Sequence, residues 1–131
     1  MINRESQIQQ ACVTWFRLQY PAYKLSLLAI PNGQKRAVKV NSRGQYYCPS
    51  AMRQKDEGLL PGASDLLLAV PQMSNGLIHR CGLWIEMKTD KGKLSADQIL
   101  FAEQQVKMGY SFACCRSLDE FMNVVNNYLK P

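Results

Sequence analysis

Histidine occurs once in this sequence, at His79, within a polar stretch from Pro71 to Arg80. A histidine-based hydrolytic site or a Ser-His triad therefore finds no support here. The cysteines are Cys12, Cys48, Cys81, Cys114 and Cys115, an odd number with no CxxC spacing. That argues against a disulfide framework and against a structural zinc site, and it leaves buried thiols in a reducing compartment as the plain reading. No run approaches the roughly 18 apolar residues that read as a membrane span. The segment from Met1 to Gln10 is polar and lacks the apolar core of a signal peptide. An intracellular, cytoplasmic protein is expected.

Acids are scarce in one region. Lys35, Arg36, Lys39, Arg43, Arg53 and Lys55 follow one another before Asp56 brings a carboxylate to that part of the chain. The formal net charge is +6. Charge of this sign attracts polyanions without proving that they bind. A basic stretch can track phosphates, which makes Lys35, Arg36 and Lys39 candidate nucleic-acid contacts. A solvated basic loop explains the same pattern equally well.

The length of 131 residues suits one domain spanning residues 1–131, and the apolar content of 47% is that of a globular chain. Asn3 can cap a helix that runs to about Tyr20, where Pro21 ends it, with Ile8, Cys12, Trp15 and Phe16 as its apolar stripe. Residues 23 to 30 read as a strand, and Pro31-Asn32-Gly33 as a turn after it. Residues 34 to 49 read as an irregular basic segment, and a short helix over Ser50 to Glu57 is stopped by Gly58. Asp65 to Val70 and Cys81 to Met87 are apolar runs that suggest a buried hairpin in the centre of a sheet, joined by a polar connection. Ser95-x-x-Gln98 is a capping box opening a helix that ends at Gly109, Tyr110 to Cys115 is a last strand, and Ser117-x-x-Glu120 is a second capping box that opens a helix to about Leu129. The fold class is α/β, a mixed sheet flanked by helices.

Two of the apolar runs carry a carboxylate, Asp65 at the start of one and Glu86 near the end of the other. Burying an unpaired charge costs several kcal/mol, so such positions have a cause. Lys88 shares a strand face with Glu86, because side chains alternate with period two. If the strands pair, Asp65 lies across from the Glu86 region. Two carboxylates suit Mg²⁺, which keeps several waters and binds phosphate oxygens, and the backbone carbonyl of Met87 can add a ligand. A metal held there could promote phosphodiester hydrolysis, with Lys88 orienting water or neutralising developing charge. A plain Glu86–Lys88 salt bridge at a strand end remains the competing explanation of the spacing.

Gly62-Ala-Ser-Asp65, Ile85-Glu-Met-Lys88-Thr, Lys91-Gly-Lys93-Leu-Ser-Ala-Asp-Gln98, and Gly109-Tyr110 with Ser117-Leu-Asp-Glu120 together resemble the VRR-NUC (virus-type replication-repair nuclease) family of the PD-(D/E)xK superfamily. The resemblance runs from Glu5 to Tyr128. It implies a restriction-endonuclease-like core and a Mg²⁺- or Mn²⁺-dependent DNA endonuclease. It implies that Asp65 and Glu86 bind metal, that Lys88 is the catalytic lysine, and that Glu5 completes the metal site directly or through water. Gln98 matches a glutamine facing the site, besides its capping role, while Gln9 reads better as exposed helix surface. Lys91 and Lys93 would contact phosphates, although a solvated turn explains them too. Ser64 stands where the family usually has proline, a residue that shapes the loop without binding metal. Members of this length resemble phage or plasmid Holliday-junction resolvases. That implies a homodimer acting on branched DNA in replication, repair or recombination, in a bacterial or phage-infected cell. A flap or nicking nuclease and a non-catalytic DNA-binding module are the alternatives.

Overall fold

The computed structural model describes residues 3–31, 39–47 and 49–131. The chain divides into two compact units, residues 1–30 with 62–131, and residues 31–61.

The larger unit opens with helix α1 (Arg4–Gln19). The Asn3 side chain accepts from the backbone N–H groups of Glu5 and Ser6, satisfying donors that a helix start leaves free. Pro21 stops the helix and begins a short 3₁₀ turn, Pro21–Tyr23. Strand β1 is accordingly only Leu27–Ala29, shorter than the run expected from residue 23. Strands β4 (Leu66–Leu68) and β7 (Leu83–Met87) form the centre of a four-stranded sheet with β8 (Ser111–Cys115), in the order β1-β4-β7-β8. β1/β4 and β4/β7 are antiparallel, while β7/β8 is parallel and is reached through helix α3 (Ala96–Lys107). Helix α4 (Leu118–Leu129) closes the chain. This is a mixed α/β sheet with helices on both faces, as the sequence led one to expect.

The alternation of strand residues decides what each face holds. Leu66, Leu68, Leu83, Ile85 and Met87 pack with Cys12 and Phe16 of α1 and with Phe121, Val125 and Tyr128 of α4 in one buried cluster. Each large side chain removed from water in this way contributes roughly 1.5–3 kcal/mol. Burial pushes the Cys12 thiol up to about 11 and the Cys115 thiol up to about 12, so both are packing groups and not nucleophiles. On the other face Trp84 meets Phe101 of α3 edge to face, with ring centroids 5.0 Å apart, and its Nε1–H donates to Gln105 at 2.9 Å.

The polar connection from Pro71 to Arg80 contains a hairpin, β5 (Gln72–Ser74) with β6 (Leu77–Arg80). Asn75 and Gly76 both have positive φ, 52° and 78°, as a tight hairpin turn demands. That Asn-Gly pair was the signal for it. In the smaller unit the basic segment is not wholly irregular. β2 (Lys39–Val40) pairs with β3 (Tyr46–Tyr47) around a turn in which Asn41 Oδ1 accepts from Arg43 and Gln45 N–H, each at 2.9 Å. Helix α2 (Pro49–Asp56) follows, and Gly58 at φ 108° ends it.

Candidate active site

The site grows from the register of the two central strands. Leu66 pairs with Ile85, so the preceding Asp65 lies across from Glu86. Leu66 and Ile85 belong to the helix α1/α4 cluster. Strand alternation therefore turns Asp65 and Glu86 to the opposite, α3 face. The Met87 N–H donates to Asp65 Oδ2 at 2.8 Å, which locks the carboxylate at the junction of the strands. A strand residue's N–H and C=O leave on the same side, so the Met87 carbonyl is directed toward the Asp65 side as well.

The loop that delivers Asp65 is shaped by Gly62. Its φ is 91°, and a Cβ there would stand 2.6 Å from the backbone of Asp97 at the start of α3. Only glycine fits that approach. Ser64, standing in the proline position, is buried at 1% exposure.

Glu86 is itself only 2% exposed. Its Oε1 accepts from Gln98 Nε2. The same glutamine accepts from Ser95 N–H through Oε1 at 2.9 Å, while Ser95 Oγ accepts from Gln98 N–H. Gln98 thus caps α3 and holds the Glu86 carboxylate at once. Glu86 Oε2 is buried and has no hydrogen-bond partner among the described residues. Burial above all, and then the facing Asp65 carboxyl, with which it can share a proton, push the Glu86 carboxyl up to about 9. Lys88 opposes this and Glu5 adds to it.

Glu5, in the first turn of α1, is half-buried and feels both Asp65 and Lys88. Burial raises its carboxyl above the usual range, with Asp65 adding to the effect. Lys88 is half-buried. No ion pair joins it to Glu86, because among the described residues the only pair within 4 Å is Arg53–Glu57. The simple salt-bridge explanation of the Glu86-x-Lys88 spacing is therefore not realised.

Among the described residues no cation pairs directly with these two facing carboxylates, and a divalent cation between them would meet the orphaned oxygen. Among the described residues no three His, Cys, Asp or Glu side chains close into a cage. Asp65, Glu86 and the Met87 carbonyl are the groups that could hold the cation, and Glu5 is close enough to feel the Asp65 charge.

Other residues singled out in the sequence fall elsewhere. Gln9 is half-buried on α1, and His79 is exposed on β6. Lys91 and Lys93 are exposed on the turn that follows Lys88. Lys35 and Arg36, with Asn32, Gly33 and Cys48, lie outside the described residues, as does the side chain of Lys39. Arg116 was not anticipated. Its Nη1 donates to the carbonyls of Thr89 and Gly92, and nothing in the local sequence announces a contact over so long a separation.

The model of the VRR-NUC domain matches residues 3–119 of the chain. A solved structure titled "VRR_NUC domain protein" superposes with a TM-score of 0.73 at 19% identity, covering 96% of this chain and 88% of that one. At that identity the superposition speaks for the fold alone. No curated protein sequence matches the chain.

Proposed function

Since the chain belongs to the VRR-NUC family, a family of nucleases, we propose that it is a Mg²⁺- or Mn²⁺-dependent DNA endonuclease with Asp65, Glu86 and Lys88 as its catalytic set. The observation that carries this is the buried, unpartnered Glu86 Oε2 facing Asp65. A fold does not bury a carboxylate so unfavourably without a return.

Asp65, Glu86 and the Met87 carbonyl would hold the metal, and Glu5 would complete the site directly or through water. Held there, a divalent cation would supply charge stabilisation at the phosphate and would lower the pKa of bound water. Gln98 fixes the Glu86 carboxylate and holds it against rotation. Lys88, free of an ion pair among the described residues, can place its ammonium against the attacking water or the charge that develops on the phosphate. Lys91 and Lys93 are exposed beside it and fit contact with the phosphates of the scissile strand.

The substrate is proposed to be branched DNA, cut by a homodimer in replication, repair or recombination. One site cuts one strand, so paired cuts are easiest with two sites about a twofold axis. Tyr46 and Met52, exposed in the smaller unit, offer apolar surface for such an association. No helix among the described residues is long and apolar enough to cross a membrane.

The test compares wild type and Asp65→Ala on four-way junctions, flaps and duplexes in Mg²⁺. Wild type should cut junctions in symmetric pairs, and Asp65→Ala should bind the same DNA without cutting it. Unpaired nicks from a monomer would replace the resolvase reading with a nicking or flap nuclease. Undiminished cutting by Asp65→Ala would remove the active site itself.

A further inference from the structure

The turn after Lys88 is held from a distance. Arg116, the first residue after β8, donates through Nη1 to the Thr89 carbonyl at 2.8 Å and to the Gly92 carbonyl. The Gly92 N–H also returns to the Thr89 carbonyl at 3.1 Å, so both ends of a four-residue turn converge on one guanidinium. Among the described residues no carboxylate lies within ion-pairing distance of Arg116. Its charge is used on carbonyl oxygens, where a charge-assisted bond is stronger than a neutral one.

The turn in turn touches the lysine. A Cβ on Gly92 would stand 3.2 Å from Lys88 Cδ and 3.6 Å from Lys88 Cβ. The Gly92 backbone therefore forms a wall along the lysine stem, which would otherwise be free to turn about its several carbon–carbon bonds.

Arg116 is well anchored for such a task. Met87 pairs with Cys115 in the parallel register, and the Lys88 N–H donates to the Cys115 carbonyl at 3.0 Å. The Arg116 N–H donates to Glu120 Oε2 at 3.2 Å in the first turn of α4. The expected capping box there is only half made for this reason. Ser117 Oγ accepts from Glu120 N–H, but the Glu120 carboxylate goes to Arg116 instead of Ser117.

We propose that Arg116 is a positioning residue for Lys88. It clamps the Thr89–Gly92 turn, the turn walls the lysine stem, and the ammonium is thereby aimed at the Asp65–Glu86 pair. The inference rests on the reading of Lys88 as the catalytic lysine.

The experiment is a double-mutant cycle on DNA cleavage in saturating Mg²⁺, with unfolding midpoint and Mn²⁺ affinity measured on each protein. Arg116→Ala should lower kcat on the order of 10- to 100-fold with little change in KM, because misplacing a catalytic group costs rate and not binding. Arg116→Lys, which keeps the charge but not the fork, should recover part of the loss. In the Lys88→Ala background the Arg116→Ala change should cost almost nothing further. Gly92→Ala probes the second link without touching Arg116, and it should also lower kcat by crowding the lysine stem. If Arg116→Ala unfolds the protein, the Arg116→Lys and Gly92→Ala results decide alone. Full-rate cutting by Arg116→Ala or Gly92→Ala, an equal loss from Arg116→Ala with and without Lys88, or a rise in KM at constant kcat would overturn the proposal. Lys88→Ala cutting at the wild-type rate would overturn the Lys88 reading and the clamp with it. An impaired Lys88→Ala beside a fully active Arg116→Ala would overturn the clamp alone.

Discussion

Strand β7 has two faces that were built for different ends. Leu83, Ile85 and Met87 are 2% exposed or less and meet α1 and α4 in the apolar cluster. Trp84, Glu86 and Lys88 alternate with them and look toward α3. Glu86 is as buried as Leu83, yet among the described residues one of its oxygens has no hydrogen-bond partner, and its carboxyl is pushed up to about 9. One face gains free energy from burial, and the other gives some up. The same short stretch thus holds the sheet together and carries the proposed site, and period-two alternation keeps the two tasks apart.

Substitutions on either side of this boundary should separate cleanly. Lys88→Ala is expected to lower the cleavage rate by orders of magnitude while leaving metal binding and the fold in place. Ile85→Ala is expected to cost about 2–5 kcal/mol of stability by leaving a cavity. Below its lowered unfolding midpoint it should still cut. Denaturant unfolding and single-turnover cleavage on both proteins check this. A Lys88→Ala protein that loses stability as Ile85→Ala does, with activity intact, would erase the distinction between the faces.

The cost carried by Glu86 has a pH signature. Its folded value of about 9 lies above the ordinary 4.5, so between these the folded, metal-free protein holds a proton that the unfolded chain has released. Rising pH therefore favours unfolding across that window, and the loss levels off beyond it. Glu86→Gln removes the effect. In excess chelator its melting temperature should match wild type near pH 4 and exceed it by several degrees near pH 8. A gap that shrinks with rising pH would contradict the burial argument.

Much of the molecule was legible beforehand because its signals are local. The Asn3 cap, the Ser95-x-x-Gln98 box and the stop at Gly58 each depend on residues a few positions apart, and each forms. The carboxylates on apolar runs marked Asp65 and Glu86, and strand register then set them face to face. The missed features have other causes. A three-residue strand such as β5 is too short for alternation to show, and β1 proved shorter than expected because Pro21–Tyr23 forms a 3₁₀ turn before it. The Arg116 fork joins residues 24 and 27 positions apart, and no periodicity reports such a contact. The spacing around Gln98 announced its cap alone, and its bond to Glu86 depends on where α3 lands.

The smallest expected effect concerns the basic segment, whose contribution is additive and screened. Charge reversal at Lys35, Arg36 and Lys39 should weaken DNA affinity. It should also reduce the log-log salt slope by about 0.9 for each duplex phosphate that is no longer neutralised. Metal affinity should stay as in wild type, since these residues are not among the proposed ligands. An unchanged slope would assign the segment to solubility.

The central claim is that the unfavourable face of β7 exists to hold a divalent cation for strand cleavage. DNA cutting by the wild-type protein, measured across a titration of Mg²⁺ and Mn²⁺ and again in excess chelator, tests it most directly. The account predicts cutting that rises with metal and vanishes with chelator. Full cutting in chelator would contradict it.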